Sequence, residues 1–242
     1  MKTEILQILR NTDGYVSGQQ LCDTLGVSRT AVWKVINQLK EEGYEIEAVR
    51  NRGYRIVEAA DVLNASELKS RLHTKHIGSK VYYQSEIDST NSWLKRLAEE
   101  GAPDGSVTIA DMQSRGKGRR GRVWVTPFGT SIPFSILLRP DIRPERASML
   151  TLVMGLCVAE AMEQLYGMEV GIKWPNDVVV NGKKICGILT EMTMQAEYID
   201  SVIIGTGINA NMQEFPEELQ DKATSLRNIL GKPVKRADIV VK

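Results

Sequence analysis

The chain of 242 residues is poor in several things, and each shortage closes off a class of protein. Cysteine occurs three times, at Cys22, Cys157 and Cys186, with no Cys-x-x-Cys spacing. A disulfide framework is therefore excluded, and reduced thiols point to the cytosol. Histidine occurs only at His73 and His76, with no Cys/His cluster around them, so no metal site is expected from these residues. Net charge is nearly absent: 31 Lys and Arg stand against 30 Asp and Glu. That balance excludes a polycationic nucleic-acid coat and an acidic solvating tail, while leaving room for a local basic patch. The longest nearly apolar run, Leu150 to Met162, is too short to span a bilayer and fits a buried helix. The N-terminus, MKTEILQILRNTD, has no apolar signal core. These features predict a soluble, cytoplasmic protein without membrane contact.

Hydrophobic residues make up 42% and charged residues 25% of the chain, ordinary proportions for a globular protein with a real core, and they exclude disorder. The length allows one large domain or two smaller ones. Residues 1–60 read differently from the rest. Ile5, Leu6, Ile8 and Leu9 give a short amphipathic helix stopped near Asp13-Gly14. Ser17 is placed to cap a helix over Gly18–Leu25, which Gly26 breaks. Ser28 is placed to cap a third helix with the stripe Val32, Ile36, Leu39. Glu45 to Val57 then reads as a hairpin turning at Asn51-Arg52-Gly53. Helix, glycine turn, Ser-capped helix and hairpin is the order of a winged helix-turn-helix.

The pattern lapses over Ala59 to Ala65 before a helix that Ser66 would cap, so the domain boundary is placed at residues 62/63. Beyond it, strands are expected over Lys80–Tyr83, Ser106–Ala110, Ser131–Leu138, Val178–Val180, Ile185–Met192 and Ser201–Ile208, with helices over Asn91–Glu100 and Arg146–Tyr166. Strands next to strands, rather than strict alternation with helices, predict an α+β mixed sheet.

Four segments carry chemistry. On the third helix Arg29, Thr30, Lys34 and Asn37 lie off the apolar stripe, and Arg50, Arg52 and Arg55 decorate the hairpin. Cations there would meet phosphates, and Arg29, Thr30 and Asn37 could reach base edges, although such a module can also serve protein contacts. The run Arg115 to Arg122 consists only of glycines and cations: Arg115, Lys117, Arg119, Arg120 and Arg122 among Gly116, Gly118 and Gly121. Packed like charges should keep it mobile until an anion arrives, and its glycines would offer backbone N–H groups to that anion. A flexible nucleic-acid loop or a solvated turn has the same composition, but Trp124 and a strand follow directly. In KWPND, Pro175 stiffens a corner that carries Lys173 and Asp177. Asn181-Gly182 turns a hairpin, so Lys183 and Lys184 begin the return strand, either solvated or facing a cleft. Asp88-Ser89-Thr90-Asn91 precedes a helix, where hydroxyls cap, and the same groups could hydrogen-bond a ligand.

In this order DSTN, the Arg/Gly loop, KWPND with GKKxxGIL, and Gly205-Thr206-Gly207-Ile208-Asn209 resemble the family of bifunctional biotin protein ligases that double as biotin operon repressors. The resemblance covers essentially the whole chain. It implies a winged helix-turn-helix DNA-binding domain (1–62) and a catalytic domain (63–242) related to class II aminoacyl-tRNA synthetases. The reaction it implies is that of a biotin–[biotin carboxyl-carrier protein] ligase. Biotin and MgATP, hence Mg2+, give biotinyl-5′-AMP, and biotin then passes to a lysine of the biotin carboxyl carrier protein of acetyl-CoA carboxylase. The resemblance places Ser89, Thr90, Asn91 and Gln113 around biotin, Lys117, Gly118 and Arg119 on the loop that binds biotin and its adenylate, and Lys184, not Lys183, near the biotin carboxylate. Asp177 would organise the nucleotide side, so that Lys184, Arg119 and Asp177 are the catalytic set. Adenylate-bound homodimers would address two half-sites of operator DNA. The loop departs from the family in having Lys117 where Arg is usual and Arg115 where a small residue is usual; lysine lacks the bidentate fork, so a looser grip on the adenylate is expected. Family members continue into a small SH3-like barrel, and the sequence is expected to lack it. A biotin-responsive repressor without transfer activity is the alternative, and a lipoate or octanoate ligase a third reading that the winged helix and arginine-rich loop oppose.

Overall fold

The computed structural model describes residues 1–59 and 61–242; Ala60, inside the expected boundary stretch, lies outside the described residues. The chain divides into two compact units, Met1–His73 and Thr74–Val240.

In the first unit α1 (Lys2–Arg10), α2 (Gly18–Leu25) and α3 (Arg29–Glu41) precede a hairpin of β1 (Tyr44–Val49) and β2 (Gly53–Ala59). The capping expectations hold: Ser17 Oγ accepts from Gln20 N–H, Ser28 Oγ accepts from Ala31 N–H, and Gly26 ends α2 in the left-handed region at φ 65°. Each cap satisfies a backbone donor that would otherwise face the helix end alone. The hairpin turn lies one residue earlier than expected. Val49 pairs with Gly53, and Asn51 takes the left-handed conformation at φ 65°, which Asn tolerates better than most side chains. Ile5, Leu6, Leu9, Leu21, Ile36 and Leu39 are buried together, and each contributes about 1.5–3 kcal/mol by leaving water.

α4 (Ala65–Arg71) is capped by Asn64, whose Oδ1 accepts from Glu67 N–H; Ser66, the expected cap, lies inside the helix. Asn64 outcompetes Ser66 because its extended backbone leads directly into the first turn. This helix belongs to the first unit, so the division falls after His73 rather than after residue 62. The cause is one buried carboxylate. Glu67, 1% exposed, accepts from Arg10 Nη2 at 2.7 and 2.8 Å, from Arg71 Nη1 at 3.2 Å and from the Tyr44 hydroxyl at 2.8 Å. Burial, and then the Glu67 charge, push the Tyr44 phenol well above its ordinary range.

The second unit is built on a seven-stranded mixed sheet. Its strands are β3 (Val81–Ile87), β4 (Val107–Gln113), β5 (Ser131–Leu138), β6 (Gly171–Lys173), β7 (Asp177–Val180), β8 (Lys183–Gln195) and β9 (Tyr198–Asn209), in the order β3-β4-β5-β9-β8-β7-β6. Only β3 and β4 run parallel; the other pairs are antiparallel. The short β6 went unseen in the sequence because its three residues are all exposed and show no alternation. α5 (Thr90–Glu99) packs on β4, β5 and β9, with Leu94 buried against Leu137 and Ile203. α6 (Met149–Tyr166) packs on β6, β7, β8 and β9, where Gly155 lies against Ile188 and Ile172. The expectation of a buried helix at Leu150–Met162 needs correction. The sheet covers one side of α6 only, and Met149, Leu152, Val153 and Leu156 remain exposed. With its preceding turn, this helix (Pro144–Tyr166) is long and apolar enough to cross a membrane by length and composition, and most of it is not buried. α7 (Leu226–Leu230) and α8 (Arg236–Val241) follow the sheet. Arg236 Nη1 pairs with Asp111 Oδ1 at 2.6 Å, and Tyr83 donates to the other oxygen, so α8 is pinned to β4 by a buried charge pair.

Removing one partner of a buried ionic network strands the others, which costs more than the net worth of the network. Glu67→Ala is expected to destabilise the first unit by about 3 kcal/mol, read as an earlier denaturant transition of that unit with the transition of the second unit unmoved.

Candidate functional site

The site begins where β3 runs into α5. Asp88 ties the corner: its carboxylate accepts from Arg96 Nη1 and Nη2, both at 2.9 Å, and from Ser89 N–H at 2.8 Å. The Arg96 guanidinium is the main cause that holds this carboxyl down at about 2, with the backbone N–H adding to it and burial opposing. Ser89 occupies the N-cap position of α5 but its hydroxyl makes no capping bond. The expected capping role therefore fails for Ser89, and its buried hydroxyl lines the cleft instead.

Thr90 and Asn91 enter a buried polar network. Thr90 N–H and Oγ1 both donate to Gln113 Oε1, at 2.8 and 3.1 Å. The Gln113 carbonyl is thus occupied, while its amide N–H2 has, among the described residues, a 3.4 Å contact to Thr126 Oγ1. Asn91 is held on both ends: Oδ1 accepts from Ser135 at 2.6 Å, and Nδ2 donates to Glu191 at 2.7 Å and to the Leu189 carbonyl at 3.2 Å. A satisfied, 4% exposed Asn is a wall of the cleft and the prop of its neighbour Thr90.

The Arg/Gly segment is a narrow hairpin. Thr126 bridges to Gln113, Trp124 N–H donates to the Gly116 carbonyl at 2.9 Å, and Gly118 N–H donates to the Arg122 carbonyl at 2.7 Å. Its tip, Arg119–Gly121, is a single turn in which Arg120 and Gly121 have φ 58° and 75°. The hairpin delivers Trp124 to the sheet. A Cβ at Gly207 would stand 2.5 Å from the indole and one at Gly187 2.8 Å from it. Likewise, a Cβ at Gly205 would stand 2.0 Å from Asn91 Oδ1. The three strand glycines are what lets Trp124 and Asn91 lie against β8 and β9.

Lys184, the second residue of β8, projects inward. Its Nζ lies 2.6 Å from Asp177 Oδ1 and 5.3 Å from the centre of the Trp124 ring. Lys183 turns away and donates to the Gln220 carbonyl at 2.9 Å. A small cleft results. Ser89, Thr90, Asn91, Gln113, Lys117, Gly118, Arg119 and Lys184, the eight residues singled out for binding, all line it. Asp177 meets the cleft only through Lys184, and Lys173, Arg115, Arg120 and Arg122 are exposed and outside its lining. Trp124, Asn176, Gly187 and Thr206 also line the cleft and carried no assigned role; a glycine inside a strand is the signal that marks such a close approach. Trp124 Nε1 and Thr206 Oγ1 are buried without a hydrogen-bond partner among the described residues. Those residues gather no cluster of three or more His, Cys, Asp or Glu side chains able to hold a metal. Cys186 lies buried behind Lys184, and burial pushes its thiol up to about 12.

On the first unit, Arg29, Thr30 and Lys34 are exposed on α3, Asn37 is half-buried, and Arg50 and Arg52 are exposed on the hairpin. Arg29 also donates to Gln19 of α2, at 2.7 and 3.2 Å. Trp33, 59% exposed on α3 near these groups, was not anticipated, because the stripe argument assigns large apolar residues to the core.

The fold and the cleft define a class: an α+β domain whose cations and amides converge on one cleft, carried in one chain with a winged helix-turn-helix. The comparisons narrow that class. Residues 83–209 match the biotin/lipoate A/B protein ligase family, and residues 2–55 match a helix-turn-helix domain. The bifunctional ligase/repressor BirA of Bacillus spizizenii is 45% identical over 93% of this chain and 70% of its own length. That of Escherichia coli is 36% identical over 89% and 65%. Among solved structures, the biotin protein ligase from Aquifex aeolicus in complex with biotin and ATP superposes with a TM-score of 0.59, at 38% identity over 67% of this chain and 66% of that one. The chain belongs to the family of bifunctional biotin protein ligase/repressors.

The Asp88–Arg96 pair makes a pH-dependent contribution. The folded carboxyl sits near 2, below its ordinary value of 3.8. Its stabilisation is therefore complete above about pH 4 and lost as pH falls through about 2. An NMR titration should find the Asp88 midpoint near 2 and see it return toward 3.8 in Arg96→Ala; an Asp88 midpoint unmoved by that substitution contradicts the assignment.

Proposed function

We propose that the second unit binds biotin and ATP, joins them as biotinyl-5′-AMP with release of pyrophosphate, and transfers the biotinyl group to a lysine of a biotin carboxyl carrier protein with release of AMP. The first unit binds operator DNA as part of an adenylate-bound homodimer and represses biotin synthesis genes in the cytoplasm. The observation that carries the reading is the meeting of Lys117, Gly118, Arg119 and Lys184 with Ser89, Thr90 and Gln113 in one cleft.

Each group has work that suits its surroundings. Thr90 occupies the Gln113 carbonyl, so the Gln113 amide N–H2 is the end left to donate to the ureido oxygen of biotin. Trp124 supplies an apolar wall for the ring system, and Trp124 Nε1 and Thr206 Oγ1 offer polar contacts at the same place. The biotin carboxylate must approach the α-phosphate of ATP, and two anions resist that approach. Lys184, oriented by Asp177, and Arg119 from the loop tip are fixed cations that stabilise the charge gathering there. The hairpin carrying Lys117 and Arg119 shields the mixed anhydride from water until the carrier lysine attacks. That lysine is the nucleophile, so no Ser, Cys or His of this chain is required. Mg2+ enters with the nucleotide, held chiefly by phosphate oxygens, as is usual for this ion; the Asp177 carboxylate beside the cleft is already engaged by Lys184.

The test is incubation with biotin, MgATP and a carrier domain, following the carrier by intact mass. One biotinyl group per carrier is expected. Lys184→Ala should slow labelling by about 100-fold or more, while Lys183→Ala, whose ammonium bonds Gln220 outside the cleft, leaves it unchanged. Biotin binding without labelling would reduce the protein to a biotin-responsive repressor, and equal rates for the two lysine variants would remove Lys184 from the chemistry.

A further inference from the structure

The winged helix gathers a cluster around Tyr15, a residue that is not among the cations placed toward phosphates. Tyr15 lies between α1 and α2, and the next residue, Val16, pairs antiparallel with Tyr54 of the wing. Val16 N–H donates to the Tyr54 carbonyl at 2.9 Å, and Tyr54 N–H donates back at 2.8 Å. Gly53 permits this approach, because a Cβ there would stand 2.0 Å from the Val16 carbonyl oxygen. The pairing sets the Tyr15 ring beside the wing turn. The guanidinium of Arg52 lies 4.8 Å from the ring centre and that of Arg55 5.1 Å from it. Arg55 also donates to Glu47 at 2.8 Å, across the hairpin. The Glu47 carboxyl is held below its usual range, first by the Tyr15 hydroxyl and then by Arg55, while the Tyr15 phenol is raised in turn.

Two exposed arginines left to themselves would repel and sample many rotamers. Here one ring and one carboxylate gather both on the wing, each ring contact drawing a cation to the negative face of the aromatic. Neighbouring phosphates along a duplex backbone present charges of the opposite sign, and a clamp already ordered loses less freedom on meeting them. Among the described residues Arg52 forms no hydrogen-bonded ion pair, Glu47 bonding Arg55 instead, so its exposed guanidinium is available to such a partner.

We propose that Tyr15 is a positioning residue for duplex binding, its ring and Glu47 holding Arg52 and Arg55 side by side as a preformed phosphate clamp. The proposal rests on the reading of the first unit as a DNA-binding module. It is tested with the whole chain and a fluorescein-labelled random-sequence DNA duplex at low ionic strength, by anisotropy. Tyr15→Leu should weaken binding about fivefold, and Tyr15→Phe, which keeps the ring, should bind like the wild type. In an Arg52→Ala/Arg55→Ala background, Tyr15→Leu should have no further effect, and that background should reduce the slope of log affinity against log salt by about two. Arg52→Lys/Arg55→Lys gives a route that leaves Tyr15 untouched: charge and salt slope are kept, but affinity falls because an ammonium does not stack as a guanidinium does. Wild-type affinity in Tyr15→Leu, an equal loss in the arginine-free background, or full affinity in the double-lysine variant overturns the clamp while leaving DNA binding intact. A wild-type chain that shows no salt-dependent binding to the duplex removes the DNA-binding reading and the clamp with it.

Discussion

Trp124 lies close against β8 and β9 because Gly187 and Gly207 present no side chain there, and Asn91 reaches the same sheet through the space left at Gly205. Glycine in a strand interior is costly, about 0.5–1 kcal/mol each relative to alanine. Three of them in neighbouring strands make sense only as a surface shaped for something to lie on it. Every other part of the cleft refers to that surface. The indole fixes the end of the Arg/Gly hairpin, the hairpin places Lys117 and Arg119, and the same ring lies beside the Lys184 ammonium. Asn91, locked by Ser135 and Glu191, holds the start of α5, where Ser89 and Thr90 face Gln113.

Charge in the cleft is arranged with little neutralisation. Lys184 is balanced by Asp177, whereas Lys117 and Arg119 stand on an exposed loop. Such an arrangement suits a ligand that brings its own negative charge, as a carboxylate and a triphosphate do. The first unit follows the opposite rule. Its buried carboxylate, Glu67, is saturated by two arginines and a tyrosine and serves cohesion, while its cations on α3 and the wing remain outward. A nearly neutral chain can thus hold two cationic surfaces, because acidic residues compensate them elsewhere.

Much of this was legible in the residues. The helix caps at Ser17 and Ser28, the glycine stop at Gly26 and the Asn181-Gly182 turn each have a local cause, so local reading found them. The motif residues of the cleft were legible through family resemblance, and the structure gathers all eight of them. What escaped was set by distant partners. The attachment of α4 to the first unit depends on Glu67 meeting Arg10 from 57 residues away. The exposed side of α6 could not be read from its composition, since an apolar helix under a sheet and one half outside it have the same sequence pattern. The placing of Trp124 on Gly207 depends on two segments 83 positions apart, and only the strand glycines hinted at it.

The central claim is that this glycine-and-indole surface is the floor on which biotin lies. The most direct measurement is calorimetric titration of biotin into the wild-type chain and into Gly207→Ala, whose added methyl would stand 2.5 Å from the indole in its present position. Saturable binding of one biotin per wild-type chain is expected, with binding lost in Gly207→Ala while its circular dichroism spectrum stays that of the wild type. Equal biotin affinity in the two proteins would contradict the account, because the ligand would then be held somewhere that does not depend on Trp124 lying against the sheet.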